Sequence, residues 1–531
     1  MNFNITVVIC LMCNLFNSAH AQVRYTSHVL MIPLDDRPPC LQFPLKMGLI
    51  GDVQIVTPPR TLLGRFTQFG KSDSIILWFK KQDLSKFDAA IISMDMLAYG
   101  GLVASRVHET DMGNALKRLE IVKEIRQKAP KIKIYGSSVI MRLAPTGDGK
   151  NEAYREKLAR WADYSPYPEN KEIVEKLESE IPAQALENYK KARERNLKIN
   201  LLAVDLTKNK IFDYLILSQD DAKPKGIHIK DRETLIETVK THNLSEKIAV
   251  QPGADEVSML LLARAMSDKY QYHPKIKAIY STEKAANQVM PFEDRPLSKT
   301  VSFHLKAVGA EEVSDVQQAD IVFYVFASRF DTGRVTSFAN EIIDFNKNNP
   351  KKGIIIADVD PKGDVQGGDT TFNETLKRAF IFSKIYGYAC WNTAGNTIGT
   401  ALPHGILYGV SQAVLNKKTV KKVKKRMTYA QKWFTLNRLL DDYTYHSIVR
   451  PKALAMIKEN KWNAFRLTDE QTEIVETFCK KEIEPVALKT AKNFKNTVSN
   501  PVNSGKGVKI TNLNFDLPWN RTFEAEIDFN F

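Results

Sequence analysis

Short apolar runs alternate with helix-like patterns from residue 28 to residue 400 of the chain. Ten of these runs end in polar or glycine-rich residues, as in "HVLMIPLDDRPP", "YLILSQDDAKPKG" and "KGIIIADVDPKGD". Uninterrupted apolar strands that are separated by helices are typical of a parallel sheet that is buried on both faces. The pattern therefore predicts an α/β fold.

The number of candidate strands bears on the choice between two α/β architectures. Ten strands exceed the eight of a plain (β/α) barrel, so a barrel needs one or two additional edge or inserted strands. We favour a decorated, barrel-like parallel sheet, and a doubly wound α/β sheet is the alternative. The strands from "IVFYVFAS" onward can instead belong to a second α/β domain.

Charged and helix-like segments indicate how the chain is divided. A long charged stretch at about residues 151–200 is interpreted as a helical insertion into an α/β catalytic domain at residues 22–415. Residues 416–531 become basic and helix-like, and alternation around Phe515 and from Phe523 to Phe531 predicts closing strands. We therefore expect a helical C-terminal region that ends in short strands.

The first residues predict export. An apolar run from Ile5 to Phe16 is followed by Ala19-His20-Ala21, the small-x-small pattern that signal peptidase recognises. The run is too short for a transmembrane helix, and no later stretch approaches the roughly 18 to 20 uncharged residues of a membrane span. We expect a signal peptide at residues 1–21, cleavage near Ala21, and a periplasmic or secreted protein without stable membrane insertion.

Composition adds limits on partners. With 531 residues, of which 43% are hydrophobic, the chain can bury a large core and form more than one domain. The net charge is +15, and its densest run, Lys417 to Arg426, is interpreted as a solvated helix face, with a surface for anionic glycans or membranes as the alternative. Export and the lack of a basic motif interleaved with aromatic residues argue against a nucleic-acid partner.

Acidic, amide and arginine side chains follow the predicted strands rather than precede them. In both candidate architectures, ligands bind at the carboxyl ends of the strands. Asp220 and Asp221 come directly after "YLILSQ", and they can converge on one ligand only where the strand ends. Paired carboxylates suit glycoside hydrolysis, in which one is a general acid and the other a nucleophile, base or orienting group. A helix cap with a lysine salt bridge is the structural alternative.

A second acidic pair, Asp255 and Glu256, follows the next strand in "QPGADE". The pair precedes the apolar-striped helix "EVSMLLLARAM", and acidic residues also stabilise the start of a helix. If successive strands are neighbours in the sheet, both acidic pairs face one site. The candidate catalytic residues are therefore Asp220, Asp221, Asp255 and Glu256.

Other strand ends contribute candidate substrate-binding groups. The prolines of "PLDDRPP" fix a loop that presents a guanidinium, "MDMLAYGG" places a carboxylate and a tyrosine beside a glycine turn, and "IMRLAP" adds an arginine. "ACWNTAGNT" supplies an indole on which a sugar can stack and two orienting amides. The candidate substrate-binding residues are Asp35, Asp36, Arg37, Asp95, Tyr99, Arg142, Gln251, Trp391, Asn392 and Asn396.

Metal and nucleotide chemistry have weaker support. The aspartates of "DVDPKGDVQGGD", which are Asp358, Asp360, Asp364 and Asp369, resemble a calcium loop but lack the register and the closing glutamate of an EF-hand. The histidines are dispersed, and neither a P-loop nor a G-x-S-x-G elbow is present, so we predict no cofactor and assign no metal ligands. A metal-assisted hydrolase or lyase that uses these aspartates is the alternative enzyme.

Six motifs together resemble those of a known family: "MIPLDDRPP", "MDMLAYGGLVASR", "LILSQDDA", "QPGADE", "ACWNTAGNTIGTALPHG" and "LPWNRTFE". Over nearly its whole length the chain is similar to the DUF4127 family of exported bacterial proteins. The family label records an unknown function, so the resemblance implies a shared site at the strand ends but no catalytic residues. A strand that ends in Asp-Asp is also similar to the substrate-assisted N-acetylhexosaminidases, which implies that Asp220 orients the acetamido group and Asp221 is the acid.

These observations favour an exported glycoside hydrolase that acts on a carbohydrate, with N-acetylated sugars among the candidate substrates. In this hypothesis Asp221 is the general acid, and Asp220 or Glu256 is its partner. Besides the metal-assisted enzyme, the alternative is a non-catalytic glycan-binding or cell-envelope protein, for which the basic run from Lys417 matters more than the acidic residues.

Overall fold

The computed structural model describes residues 24–327, 332–360, 366–494 and 510–530. The predicted signal peptide at residues 1–21 lies outside these ranges. Within them, every helix is either too short or too polar to cross a lipid bilayer.

Six of the predicted apolar runs form the first sheet. Its strands are β1 (Ser27–Ile32), β2 (Val53–Val56), β3 (Ala89–Ser93), β4 (Lys133–Ile140), β5 (Tyr214–Gln219) and β6 (Ile248–Pro252). They hydrogen-bond in the order β2-β1-β3-β4-β5-β6, and every neighbouring pair is parallel. The carboxyl ends of all six strands therefore lie along one edge of the sheet.

The four later apolar runs, together with a short polar edge strand, form a second parallel sheet. Its strands are β7 (Lys275–Tyr280), β8 (Glu311–Glu312), β9 (Ile321–Ala327), β10 (Gly353–Asp360) and β11 (Gly387–Ala389). The order is β11-β10-β9-β7-β8, again with parallel neighbours throughout. Strand β9 is buried along its whole length, as an apolar strand covered on both faces should be.

The two sheets have the same strand order. When the second sheet is read from its other edge, β8-β7-β9-β10-β11 corresponds to β2-β1-β3-β4-β5. A related five-residue segment also follows the first strand of each sheet, since "LDDRP" at residues 34–38 comes after β1 and "FEDRP" at residues 292–296 comes after β7. The chain therefore repeats one doubly wound arrangement, and the first copy has one strand more.

Helices connect the strands and cover the sheets. In the first half of the chain they are α1 (Gln42–Gly48), α2 (Ser72–Lys80), α3 (Met94–Tyr99), α4 (Leu102–Ser105), α5 (Met112–Lys128), α6 (Arg155–Tyr164), α7 (Lys171–Glu180), α8 (Ala183–Lys208), α9 (Ile227–Thr241) and α10 (Val257–Tyr270). Helices α6 to α8 occupy the charged stretch that we interpret as an insertion.

The second half of the chain is richer in helix. Its helices are α11 (Glu283–Asn287), α12 (Leu297–Ala307), α13 (Val335–Asn348), α14 (Thr370–Arg378), α15 (Ala394–Val410), α16 (Asn416–Lys418), α17 (Lys421–Arg438), α18 (Arg450–Glu459) and α19 (Asp469–Ala491). Two π-helical segments, Ser411–Leu415 and Leu439–Val449, continue α15 and α17. Short 3-10 turns lie at Leu49–Gly51, Arg60–Leu62, Leu84–Lys86, Pro168–Asn170, Thr332–Arg334, Ile381–Ser383, Lys492–Phe494 and Pro518–Asn520.

The two faces of the first sheet belong to different parts of the core. Leu30 and Ile32 of β1 pack with the helices on one face, whereas Val29 and Met31 belong to a larger apolar core that continues into the second sheet. This division follows from the period of two along a strand, which sends successive side chains to opposite faces. The larger core includes α10, α15 and α17, so the two sheets share one packed interior.

The chain ends in an antiparallel hairpin of β12 (Thr511–Asp516) and β13 (Glu526–Asn530). Side chains of α1 and α17 bind the backbone of β13. Gln42 Nε2 and Asn437 Nδ2 donate to Ile527 O at 3.0 and 2.7 Å, and Trp433 Nε1 donates to Phe529 O at 2.7 Å. The C-terminus is thereby fixed beside the loop that follows β1.

The structure confirms the α/β class, the parallel strands and the helical C-terminal region. The favoured barrel is not confirmed, because in the described residues the long apolar strands are divided between two sheets with linear orders, as in the doubly wound alternative. An apolar run shows that a strand is buried on both faces, and this condition is met equally by a barrel and by an open sheet covered with helices.

Candidate active-site cleft

A cleft of about 470 Å³ opens at the carboxyl ends of the strands. Segments that follow β1, β3, β4, β5 and β6 line it from the first sheet, and segments that follow β7 and β11 line it from the second. Its walls combine four acidic residues, five aromatic rings and six arginines. The arginines are Arg37, Arg106, Arg142, Arg155, Arg466 and Arg521.

Asp220 is buried at the end of β5 and forms an ion pair with Arg106. Arg106 donates from Nε and Nη2 to Asp220 Oδ2 at 3.0 and 2.6 Å. Burial by itself would raise the pKa of Asp220, but the charges of Arg106 and Arg142 outweigh that effect and hold the pKa below its usual value. Asp220 is therefore a carboxylate that positions Arg106 in the cleft wall.

Asp221 is the accessible member of the acidic pair. Its side chain is 40% exposed, against 7% for the side chain of Asp220. Arg142 Nη1 donates to Asp221 Oδ2 at 2.6 Å, while Arg142 Nε donates to Ala144 O at 2.9 Å. The two adjacent aspartates thus diverge, because one is locked in the wall and the other borders the open cleft.

Arg37 binds three buried carboxylates at the base of the cleft. Its Nη2 lies 2.7 Å from Asp35 Oδ2 and 2.6 Å from Asp255 Oδ1, and its Nη1 lies 3.1 Å from Glu524 Oε1. The loops after β1 and β6 and the C-terminal segment therefore meet at one guanidinium. The guanidinium group is planar and has N–H donors in several fixed directions, so it can bind several carboxylates at once.

Asp255 combines burial with an excess of neighbouring negative charge. Arg521 Nη2 also lies 2.8 Å from Glu524 Oε1, so two arginines serve the three carboxylates Asp35, Asp255 and Glu524. Burial raises the pKa of Asp255 to about 6; Arg37 opposes this shift, and the charge of Asp35 adds to it. Asp255 is therefore a group that can hold a proton near neutral pH.

The C-terminal segment supplies an aromatic wall to the cleft. The guanidinium carbons of Arg37 and Arg521 lie 4.9 and 4.5 Å from the centre of the Trp519 ring. Trp519 Nε1 donates to Asp36 Oδ1 at 2.7 Å, which orients the indole. The sequence contains this segment as the motif "LPWNRTFE". The sequence does not show that the motif lies near Asp220, because the two are far apart along the chain.

Two buried glutamates lie behind the cleft lining. Glu256 is fully buried, with Oε1 3.3 Å from His304 Nε2. Glu293 is 3% exposed and accepts from Gly395 N at 2.8 Å, at the start of α15. Burial raises the pKa of Glu293 to about 8, against the effect of this hydrogen bond and with a smaller contribution from the charge of Glu256. The sequence patterns do not single out Glu293. The feature of the sequence that could have identified it is the similarity of the segment "FEDRP" to the segment "LDDRP".

The structure brings seven of the predicted site residues to the cleft surface and leaves the others beneath it. Lining the cleft are Arg37, Arg142, Asp220, Asp221, Asp255, Asn392 and Asn396. The predicted residues that do not line it are Asp35, Asp36, Asp95, Tyr99, Gln251, Glu256 and Trp391.

Trp391 and Asp95 show why some of these predictions differ from the structure. Trp391 is 1% exposed and packs edge-on against Phe43, and its Nε1 donates to Thr400 Oγ1 at 3.1 Å. Its indole belongs to the core and offers no face for the predicted sugar stacking. Asp95 is 2% exposed and accepts from Val139 N at 2.9 Å, and burial raises its pKa to about 7. Its hydrogen bond ties adjacent strand ends together.

The aspartates of the alternative metal site have other contacts. Asp358 Oδ2 accepts from Asp369 N at 2.7 Å and from Asn373 Nδ2 at 2.9 Å. Asp369 caps the start of α14. Asp364 and the side chain of Asp360 lie outside the described residues. In the part of the chain that the structure describes, no three or more His, Cys, Asp or Glu side chains are arranged to hold a metal ion.

Comparison with known proteins concerns the whole chain rather than one motif. A family model described as a protein of unknown function (DUF4127) matches residues 29–528. No curated protein matches the chain. The comparisons confirm the resemblance drawn from the six motifs, and they give no support to the local resemblance to N-acetylhexosaminidases.

Proposed function

The chain belongs to the DUF4127 family, whose function is unknown, and we propose that it is an exported glycoside hydrolase. The observation that supports this proposal is the contrast between carboxyl groups in one cleft. Arginines hold all three aspartates of the cleft in ion pairs, but the arginine charges keep the pKa of Asp220 below its usual value, whereas burial outweighs Arg37 and raises the pKa of Asp255 to about 6. Glycosidases need one carboxyl group in its acid form and another as a carboxylate, and different environments provide this difference.

The geometry favours a different division of roles from the one based on sequence. We assign the general acid to Asp255 rather than to Asp221, since burial and neighbouring negative charge favour its protonated form. Asp221 is exposed to the cleft and paired with Arg142, which suits a nucleophile or general base. Asp220 acts through Arg106 as a positioning residue.

The remaining lining suits a carbohydrate. Asn392 and Asn396 offer amide groups that can bind hydroxyls, and Phe465 offers an exposed aromatic ring in place of the buried Trp391. Aromatic faces beside a few convergent polar groups are the usual components of a site for a small polar ligand. The proposed substrate is therefore a glycan outside the cytoplasm. N-acetylated sugars are included among the candidate substrates.

The first prediction concerns product release from a panel of N-acetylated and neutral glycosides. We expect turnover by the mature protein, a loss of about 100-fold or more in kcat for Asp221→Asn and Asp255→Asn, and no effect of a chelator. The wild-type rate should fall as the pH rises above about 6, because Asp255 then loses its proton. Asp255→Asn should remove this limb of the pH profile.

The control is Asp73→Asn, which changes an exposed aspartate that pairs with Arg118 away from the cleft. It should retain wild-type activity. Activity that survives Asp221→Asn would contradict the carboxylate mechanism, and activity lost on chelation would favour the metal-assisted alternative. A wild type that binds glycans without cleaving them would favour the non-catalytic alternative.

A further inference from the structure

Two exposed phenylalanines lie at the mouth of the cleft. Phe292 and Phe465 are 52% and 64% exposed, and both line the cleft. A phenyl ring in water loses the stabilisation that burial provides, so a pair of exposed rings at a cavity indicates a binding surface. Phe380 is also 52% exposed but does not line the cleft, so it provides a matched comparison.

Two of the six cleft arginines differ from the rest in their contacts. Arg37, Arg106, Arg142 and Arg521 each form an ion pair with a carboxylate. Within the described residues, the guanidinium groups of Arg155 and Arg466 have neither an ion pair nor a hydrogen bond. Their charge is therefore available to a ligand.

The loop at residues 146–149 brings these two guanidinium groups to the same end of the cleft. A Cβ atom at Gly147 would lie 3.7 Å from the guanidinium carbon of Arg155, and one at Gly149 would lie 1.6 Å from Arg466 Nη1. Gly149 also has a φ of +79°, which disfavours any side chain there. The absence of a side chain at Gly149 gives Arg466 room to lie over this loop, and Arg155 is in ordinary contact distance of the same loop at Gly147. Glu152 lines the same end and offsets only part of their charge.

We propose that the mouth of the cleft is a subsite for an anionic saccharide. The apolar face of a sugar ring packs on Phe465 and Phe292, and a carboxylate or phosphate on that sugar accepts hydrogen bonds from Arg155 and Arg466. A guanidinium suits both anions, because its planar donors match their oxygen atoms in pairs. This inference rests on the proposed function for the identity of the site and names the class of substrate that the site takes.

Binding without turnover tests the subsite separately from hydrolysis. The probes are thio-linked cellobiose, its counterpart with a terminal glucuronate, and its 6-phosphate, because the sulfur bridge resists hydrolysis. We expect calorimetry on the mature wild-type protein to give at least about tenfold tighter binding of an acidic probe than of the neutral one. The preference should fall as salt is added. Comparison of the glucuronate with the phosphate identifies the anion.

Variants separate the charge from the ring surface. Arg155→Ala and Arg466→Ala should each lower the preference for the acidic probe about tenfold, whereas Arg160→Ala, an exposed residue of the same helix α6 that does not line the cleft, should retain it. Phe465→Ala should weaken all bound probes, whereas Phe380→Ala should not. Thermal unfolding of each variant checks that the fold is kept.

Equal binding of the neutral and acidic probes would overturn the proposal. The same conclusion would follow if the preference survived both arginine substitutions, or if no probe bound at millimolar concentration. Each of these results leaves the proposed function standing if neutral glycosides are hydrolysed. Preferred binding of an acidic probe by a protein that cleaves no glycoside would support the subsite and contradict the hydrolase.

Discussion

At the scale of single residues, the cleft is organised by arginines that share buried carboxylates. A single guanidinium, that of Arg37, contacts all three of the carboxylates Asp35, Asp255 and Glu524, which are nearly inaccessible to water. Buried charges are tolerated only when they are paired and hydrogen-bonded, so each of these groups requires the others. This mutual dependence fixes the relative positions of three chain segments. Burial within the cluster also raises the pKa of Asp255 to about 6.

The titration of Glu293 can be followed through its effect on the free energy of unfolding. Its folded pKa is about 8, against an ordinary value of 4.5, so between these pH values the folded state keeps a proton that the unfolded chain has released. The free energy of unfolding must therefore fall as the pH rises through this window. We expect Glu293→Gln to be close to the wild type in stability at pH 4.5 and to exceed it by about 2 to 4 kcal/mol at pH 8.5.

Urea denaturation at several pH values measures this difference. Glu233→Gln provides the control, because Glu233 is an exposed glutamate of α9. Its effect on the free energy of unfolding should be small and independent of pH. A Glu293→Gln effect that did not change between pH 4.5 and pH 8.5 would contradict the prediction.

At the scale of elements, α15 explains how the second sheet comes close to the first. Its glycines let the helix approach its neighbours, since a Cβ atom at Gly405 would lie 2.3 Å from Ile355 Cδ1 of β10 and one at Gly399 would lie 2.1 Å from Glu256 Cγ. Glu256 in turn precedes α10, whose first residues are buried almost all round. Close packing of these two helices thus places Asn396 and Asp255 on one cleft.

Substitution of Gly399 by alanine tests this packing. We expect Gly399→Ala to lower the free energy of unfolding by about 1 to 3 kcal/mol, because the added methyl group overlaps the side chain of a buried glutamate. Gly113→Ala, in the exposed first turn of α5, should be neutral or stabilising by up to about 1 kcal/mol. Equal effects of the two substitutions in chemical denaturation would show that α15 is not tightly packed.

At the scale of the whole molecule, the C-terminal hairpin joins parts of the chain that are far apart in sequence. Residues of β13 accept hydrogen bonds from α1 and α17, and the turn before β13 brings Trp519 and Phe523 to the cleft and Glu524 to Arg37. Phe529 also stacks on Trp433 with ring centres 5.1 Å apart. The last strands therefore complete both the core and the site.

Truncation after residue 509 should have a large effect for this reason. Without the hairpin, apolar side chains of the shared core become exposed and Arg37 loses Glu524, so we expect the midpoint of thermal unfolding to fall by at least about 10 °C, with loss of any glycan binding. Lys46→Ala removes the partly exposed ion pair with Asp528 and the contact of the Lys46 ammonium with the Trp433 ring, and it should change stability by only about 1 kcal/mol. A truncated chain with wild-type thermal unfolding would contradict this account.

The sequence alone determined the α/β class and indicated which strand ends border the candidate cleft. Apolar runs reveal strands because a strand that is covered on both faces needs apolar residues throughout, and polar groups after such runs lie at the carboxyl ends by chain direction. Asp220, Asp221 and Asp255 were found in this way, and they do line one cleft. The family resemblance followed from motifs that span nearly the whole chain.

The tertiary structure decided the division into two sheets, the partners of the acidic groups and the place of the C-terminal segment. A strand's sequence records how it is covered but not its neighbour in the sheet, and an aspartate has the same appearance in a sequence whether it is ionised beside Arg106 or buried near Glu524. Packing also decided that Trp391 lies in the core while Trp519, although 7% exposed, lies in the wall of the cleft. Such outcomes depend on distances between residues that are remote in sequence, and these distances are set only when the chain packs.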